Sequence, residues 1–168
     1  MPYKEVFSVD LFDVALKLEK DSREFYLKQV EANDNQGLKK IFQKLADDEQ
    51  KHYEYVQNLK KDYKGFEDSD VLKESKNIFT QLLEEGVRFQ EDKESVKAYE
   101  MAQKLEKESM EYYQKMQEDF EDENAIALLK KLENEEKQHY LVLQDLIHFM
   151  RKPDEWVEDA EFNHLEDY

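Results

Sequence analysis

The strongest constraint on this chain is that it repeats itself. Residues 15–26, ALKLEKDSREFY, return as residues 102–113, AQKLEKESMEYY, with eight of twelve positions identical. Residues 45–53, LADDEQKHY, return as residues 132–140, LENEEKQHY. Both pairs are offset by 87 residues. Two separate segments sharing one offset point to a duplicated unit, and each unit holds two stretches of helical period. The chain therefore reads as two copies of a helical hairpin arranged about a pseudo-twofold axis.

Apolar spacing places the helices. The first spans about 8–32, capped at Ser8 or Asp10 after a loose lead-in. Its stripe is Phe12, Ala15, Glu19, Ser22, Tyr26 and Gln29, flanked by Leu11, Val14, Leu18 and Phe25. Asn33-Asp34-Asn35 supplies a turn and a cap. The second helix, about 36–63, carries the seam Leu38, Phe42, Leu45, Glu49, His52, Val56, Leu59, which alternates steps of four and three. A long crossover follows. Its start, KGFEDSD, is turn-like, and Val71 to Glu85 suits a short packed helix ending near Gly86. The third helix of the bundle, about 93–119, is capped by Asp92 or Ser95 and has the stripe Tyr99, Ala102, Glu106, Ser109, Tyr113, Met116. The fourth, 123–151, has the seam Ala125, Leu129, Leu132, Glu136, His139, Leu143, Leu146, Met150 and stops before Pro153. Met101, Met110 and Met116 read as core filler. The tail, 153–168, is acidic, and Trp156, Val157 and Phe162 are its candidates for folding back. The expected fold is all-α: a four-helix bundle of two hairpins joined by a long crossover.

At 168 residues the chain suits one core rather than two. A formal charge of −17 argues against nucleic acid as a partner. No apolar run reaches the roughly 18 residues a membrane span needs. MPYKEVFSVD lacks the basic and apolar regions of a signal peptide, so the expected compartment is the cytoplasm. With no cysteine, a thiol nucleophile and any sulfur-ligated metal are excluded, and a metal site would have to use Glu, Asp and His.

Such a site is what the seams suggest. Glu and His three apart on a helix share one face. The spacing alone says little, because all four His have an acid three places before them: Glu49/His52, Glu136/His139, Asp145/His148 and Glu161/His164. Position separates them. The first two pairs lie on apolar seams and repeat, whereas Asp145/His148 falls off the seam and Glu161/His164 follows the helix-ending Pro, so both of these read as solvated. Glu19 and Glu106 occupy matching places on the other two helices. Folding the hairpins together brings four Glu and two His to one level of the core. Uncompensated, each buried carboxylate there costs several kcal/mol. Two divalent cations cancel four carboxylates, with iron or manganese suiting the ligand types and zinc an alternative.

One Glu from each of two helices with Glu-x-x-His from each of the other two is the arrangement of ferritin-like di-iron and di-manganese proteins. Over about residues 8–152 the chain resembles the rubrerythrin-like branch of that superfamily. The resemblance rests on Glu19 in LEKDSREFY, Glu49 and His52 in DDEQKH, Glu106 in LEKESMEYY, and Glu136 and His139 in NEEKQH. It implies a ferritin-like bundle binding two iron ions, bridged by Glu49 and Glu136. Glu19 and His52 would be terminal ligands of one ion, Glu106 and His139 of the other. Tyr26 and Tyr113 are candidate hydrogen-bond donors behind the ligands. The implied activity is reduction of hydrogen peroxide or dioxygen. Alternatives are binding or oxidation of ferrous iron for storage or delivery, and a structural metal-bound bundle serving as an interaction module. A homodimer is the implied assembly. Two features depart from the family pattern. The four-Cys rubredoxin module is missing, so electrons would come from a separate donor such as a rubredoxin-like protein. Ser109 stands where rubrerythrins carry the extra Glu that a metal shift during peroxide reduction would use.

Overall fold

Two capped turns make the hairpins. In the first, Asn35 Oδ1 accepts from the Leu38 N–H at 3.1 Å and opens a helix, while the Asn33 side chain donates to the Gln29 carbonyl at 2.7 Å and closes the preceding one. In the second, Asp122 Oδ1 accepts from the N–H groups of Asn124 and Ala125 at 2.8 and 3.3 Å. The computed structural model describes residues 2–59, 69–86 and 93–151, with side chains from residue 11 onward. Its helices are α1 (Pro2–Ala32), α2 (Gln36–Leu59), α3 (Val71–Glu84), α4 (Lys93–Met116) and α5 (Glu123–Arg151), with a 3-10 turn at Gln117–Asp119. No strand occurs among the described residues. No helix among them is long and apolar enough to cross a membrane.

α1 packs along α2 and α4 along α5, and α1 also contacts α4 to bring the hairpins together. Every residue of the α2, α4 and α5 seams named above is buried, as are Phe12, Ala15, Glu19, Ser22 and Tyr26 of α1. Gln29, at the end of the α1 stripe, is only half-buried. The apolar part of the core falls into two clusters. One gathers Tyr26, Phe42, Leu45, Tyr99 and Leu143 with the apolar face of α3. The other gathers Phe12, Ala15, Val56, Tyr113, Leu129 and Leu132.

α3 is the crossover helix, and it covers a second face of α2 and α5. Phe79 stacks on Phe149 with ring centroids 5.1 Å apart. At the start of α2, Gly37 lets α3 approach, because a Cβ there would meet Ile78 Cγ2 at 2.9 Å. α3 ends as its sequence suggests: Gly86 adopts φ 74° and donates to the Leu83 carbonyl at 3.0 Å.

Several expectations need correction. α1 starts at Pro2, not near residue 8, and runs through both proposed caps. Proline at a first helical position gives up an N–H that would have had no helical partner. The last residues assigned to the third bundle helix form the 3-10 turn instead. Met101 is 67% exposed and Val14 45%, so Met101 is not core filler. These two residues stand at equivalent places, on outward faces of α1 and α4. Asp145 is buried at 3% exposure, not solvated, and His148 is half-buried. Asp145 lies one turn before Phe149, on the α5 face that α3 covers, and the bundle seam alone does not mark that face. The extension of the second helix over 60–63, most of KGFEDSD, the Asp92 cap, Pro153, Glu161/His164 and Trp156, Val157 and Phe162 lie outside the described residues.

Candidate metal centre

The apolar seams of four helices are interrupted at one level. There α1 contributes Glu19, α2 Glu49 and His52, α4 Glu106, and α5 Glu136 and His139; each is at most 1% exposed. Within this layer His52 Nδ1 lies 3.4 Å from Glu19, 3.7 Å from Glu49 and 3.0 Å from Glu136. His139 Nδ1 lies 2.8 Å from Glu49 and 3.5 Å from Glu106. The two imidazoles stack with centroids 5.5 Å apart and planes at 19°. All six predicted side chains therefore meet, and each Glu-x-x-His pair also reaches across to the other copy.

Two four-residue groups result, Glu19-Glu49-His52-Glu136 and Glu49-Glu106-Glu136-His139, and in each one ligand atom per residue falls within 4.8 Å of all the others. Ligand atoms on opposite sides of an ion at about 2.0–2.2 Å would stand about 4.0–4.4 Å apart, so each group has the dimensions of one coordination sphere. Glu49 and Glu136 belong to both groups. Three oxygens, Glu19 Oε2, Glu106 Oε2 and Glu136 Oε2, are buried without a hydrogen bond, and a buried carboxylate oxygen with no donor calls for a cation. The residues fit a dinuclear centre.

Their electrostatics say the same. Burial and then the charges on Glu19 and Glu106 push Glu49 well above the usual carboxylate range. Burial and the charges on Glu106, Glu19 and Glu49 do the same to Glu136. For Glu19, burial pushes upward but the charge of His52 and hydrogen bonds outweigh it, so it is lowered. Glu106 is likewise pushed upward by burial, yet Glu136, His139 and Tyr26 hold it down at about 2. Both histidines are raised well above 6.5. Burial opposes this, but the charge of Glu19 and hydrogen bonds to Glu135 and Glu136 prevail at His52, and Glu106 with Asp48 prevails at His139. Without cations the layer thus stays neutral by protonating the two shared carboxylates and both imidazoles.

Tyr26 and Tyr113 donate to carboxylates, but crosswise: Tyr26 of α1 to Glu106 of α4, and Tyr113 of α4 to Glu19 of α1. Burial, reinforced by Glu106 and Glu19 respectively, raises both phenols well above 10, which keeps them protonated as donors.

Two site residues escape the motif reading. Glu135 Oε1 lies 2.8 Å from His52 Nε2, and Asp48 Oδ2 lies 2.9 Å from His139 Nε2. Each carboxylate fixes the outer nitrogen of the histidine on the opposite hairpin, so Nδ1 is left to face the ligand layer. For Asp48, burial pushes upward, but His139 and Ser69 hold its carboxyl below the usual range. The signal was available, because Asp48 and Glu135 are themselves 87 residues apart, each just before a seam Glu.

The layer has an opening. A cavity of about 240 Å³ between α1 and α2 is lined by Glu19, Lys20, Arg23, Glu49, Gln50 and Tyr53, so two of the six carboxylate and imidazole groups sit at its floor. Among curated proteins and among solved structures nothing matches the chain. A family model described as Rubrerythrin matches residues 10–147, a span that holds the whole ligand layer, all of α2 and α4 and most of α1 and α5. The chain therefore belongs to the rubrerythrin family, with its ferritin-like all-α bundle.

Proposed function

We propose that this chain is a di-iron redox protein that reduces hydrogen peroxide or dioxygen with electrons from a separate donor. The observation that carries the reading is the six-residue layer, in which two carboxylates are shared between two coordination-sized groups beneath an open mouth. Glu49 and Glu136 would bridge the ions, Glu19 and His52 would complete one site, and Glu106 and His139 the other. A reduced di-iron pair supplies the two electrons that cleavage of an O–O bond requires.

The protein's own part is to bind, orient and shield. Asp48 and Glu135 hold the histidines with Nδ1 inward. Tyr26 and Tyr113 keep donors on the two terminal carboxylates. Apolar clusters among the described residues pack above and below the layer and shield it there. Reduction of peroxide to two waters consumes two protons, which solvent delivers through that mouth.

Stopped-flow mixing of the reduced, iron-loaded protein with hydrogen peroxide tests the reading. Oxidation much faster than that of free ferrous iron is expected; oxidation no faster would overturn it. The net charge of −17 favours a second reading, in which the protein collects and oxidises ferrous iron. Lys20 and Arg23 at the mouth weigh against it, since they repel an incoming cation. Sizing chromatography separates the two, because a storage role needs a hollow shell.

A further inference from the structure

We propose that Ser69 is a positioning residue of this centre, tying together the carboxylates behind both histidines. The proposal rests on reading the layer as a dinuclear metal site. Ser69 stands just before α3, in the connection from α2, outside both repeated hairpins. Its backbone N–H donates to Glu135 Oε2 at 2.9 Å. Its hydroxyl donates to Asp48 Oδ2 and accepts from the Val71 N–H at 3.2 Å. With Glu135 on His52 Nε2 and Asp48 on His139 Nε2, these bonds close an arc, His52–Glu135–Ser69–Asp48–His139, behind the two stacked rings. The duplication supplies no second serine, because the position 87 residues on is Trp156. One residue therefore serves both halves.

The chemistry of the arc sets the orientation of both imidazoles. Both carboxylates act as acceptors, and the Ser69 oxygen already accepts from Val71, so its proton points at Asp48. An acceptor at each Nε2 leaves a proton there and turns Nδ1 toward Glu49 and Glu106, or toward Glu19 and Glu136. The two ties differ in kind. Asp48 is held by the hydroxyl, whereas Glu135 is held by the backbone. Removing the hydroxyl should loosen only His139 and only the ion site to which it belongs. A bland role for Ser69, capping the first turn of α3 through Val71, predicts no such one-sidedness.

The test uses the full chain with Ser69→Ala and Ser69→Thr. Apo protein is followed by NMR of the imidazole N–H protons, and cobalt(II) is titrated against a competing chelator. The wild type is expected to take up two ions. Ser69→Ala should weaken one of them by roughly 10–100-fold, the usual effect of losing an outer partner of a ligand, and leave the other unchanged. The His139 Nε2 proton should exchange faster in the apo protein while that of His52 does not. Thr keeps the hydroxyl and should restore both signals. Equal weakening of both ions, no weakening, or failure of Thr to restore would each overturn the proposal. A wild type that takes up no cobalt would sink the metal reading instead, and the apo N–H exchange would still decide what Ser69 does. If Ser69→Ala does not fold, Asp48→Asn breaks the same arc one link inward and must give the same one-sided loss.

Discussion

The two hairpins match each other closely at the ligand layer and diverge away from it. Glu19 and Glu106, Glu49 and Glu136, His52 and His139, and Tyr26 and Tyr113 are equivalent pairs with almost the same burial, and their contacts are exchanged crosswise. One step outward, Asp48 is matched by Glu135, a residue of the same charge but different reach. At the surface the likeness ends: Arg23 and Gln50, which line the mouth over Glu19, correspond to Met110 and Lys137. The gradient has a physical cause. Six acidic and imidazole groups packed together at one buried level leave little freedom in charge, residue type or position, while solvent tolerates almost any polar side chain.

The sharpest way to break the equivalence is at the shared carboxylates. Glu49→Ala and Glu136→Ala each remove one ligand from both coordination groups. Both variants should lose metal by more than the roughly 10–100-fold that an outer partner is worth, as measured by elemental analysis after dialysis. Their apo forms should melt no lower than the wild type, because a carboxyl pushed upward by burial and by its like-charged neighbours has been removed. If one variant retained both ions, the halves would not be equivalent where equivalence matters most.

Next in size comes the response to pH, in which apo and metal-loaded protein should part. The apo histidines have raised pKa values, so their contribution to stability is complete below 6.5 and is lost as pH rises through the raised values. Glu49 and Glu136, also raised, add to the alkaline loss from about 4.5 upward as their buried carboxyls are forced to ionise. Glu19 and Glu106 are lowered, so their contribution holds above 4.5 and fades only in strong acid. Calorimetry should show the apo melting temperature falling from pH 6 toward 9. Loading with cations releases protons from the two shared carboxylates and both Nδ1 atoms, so metal affinity should rise over the same range. An apo protein that gains stability toward pH 9 would contradict the charge pattern of the layer.

How much of this could be read beforehand depends on what breaks a pattern. Glu49, His52, Glu136 and His139 stood out because each replaces an apolar residue on a heptad-like seam, and Glu19 and Glu106 followed from the repeat. Asp48, Glu135 and Asp145 did not stand out, because in a chain with 42 acidic residues an acid beside the seam reads as solvated. They are buried because α3 lies across α2 and α5, and periodicity within one helix does not reveal which second face a crossover will cover. The crosswise tyrosine bonds were hidden for a related reason. Spacing puts Tyr26 two turns from Glu19, but only the docking of α1 against α4 brings it to Glu106.

Tyr26→Phe and Tyr113→Phe probe those bonds. Each keeps its ring in place and takes a donor from a buried carboxylate, a loss of about 1.5–3 kcal/mol in apo stability by chemical denaturation. The two costs should agree within about 0.5 kcal/mol, the scatter with which such effects add at separate sites. A larger difference would mean that the two apolar ends are not mechanically equal, since the Tyr26 end includes α3 and the Tyr113 end does not.

The smallest expected effect is at the surface, where the halves already differ. Arg23→Met gives the first hairpin the residue of the second. One unit charge about 10 Å from an incoming anion in water is worth about 0.4 kcal/mol, roughly a factor of two. Binding of azide to the iron-loaded protein should slow by about that factor at low salt, and the difference should vanish near 1 M salt, where the Debye length is about 3 Å. Hydrogen peroxide is neutral and should react at an unchanged rate. Met110→Arg adds the charge at the equivalent place on the second hairpin, away from the cavity lined by Arg23, and should leave azide unaffected; if it speeds azide instead, small molecules reach the ions from the second hairpin as well, and the asymmetry at the surface has no bearing on access.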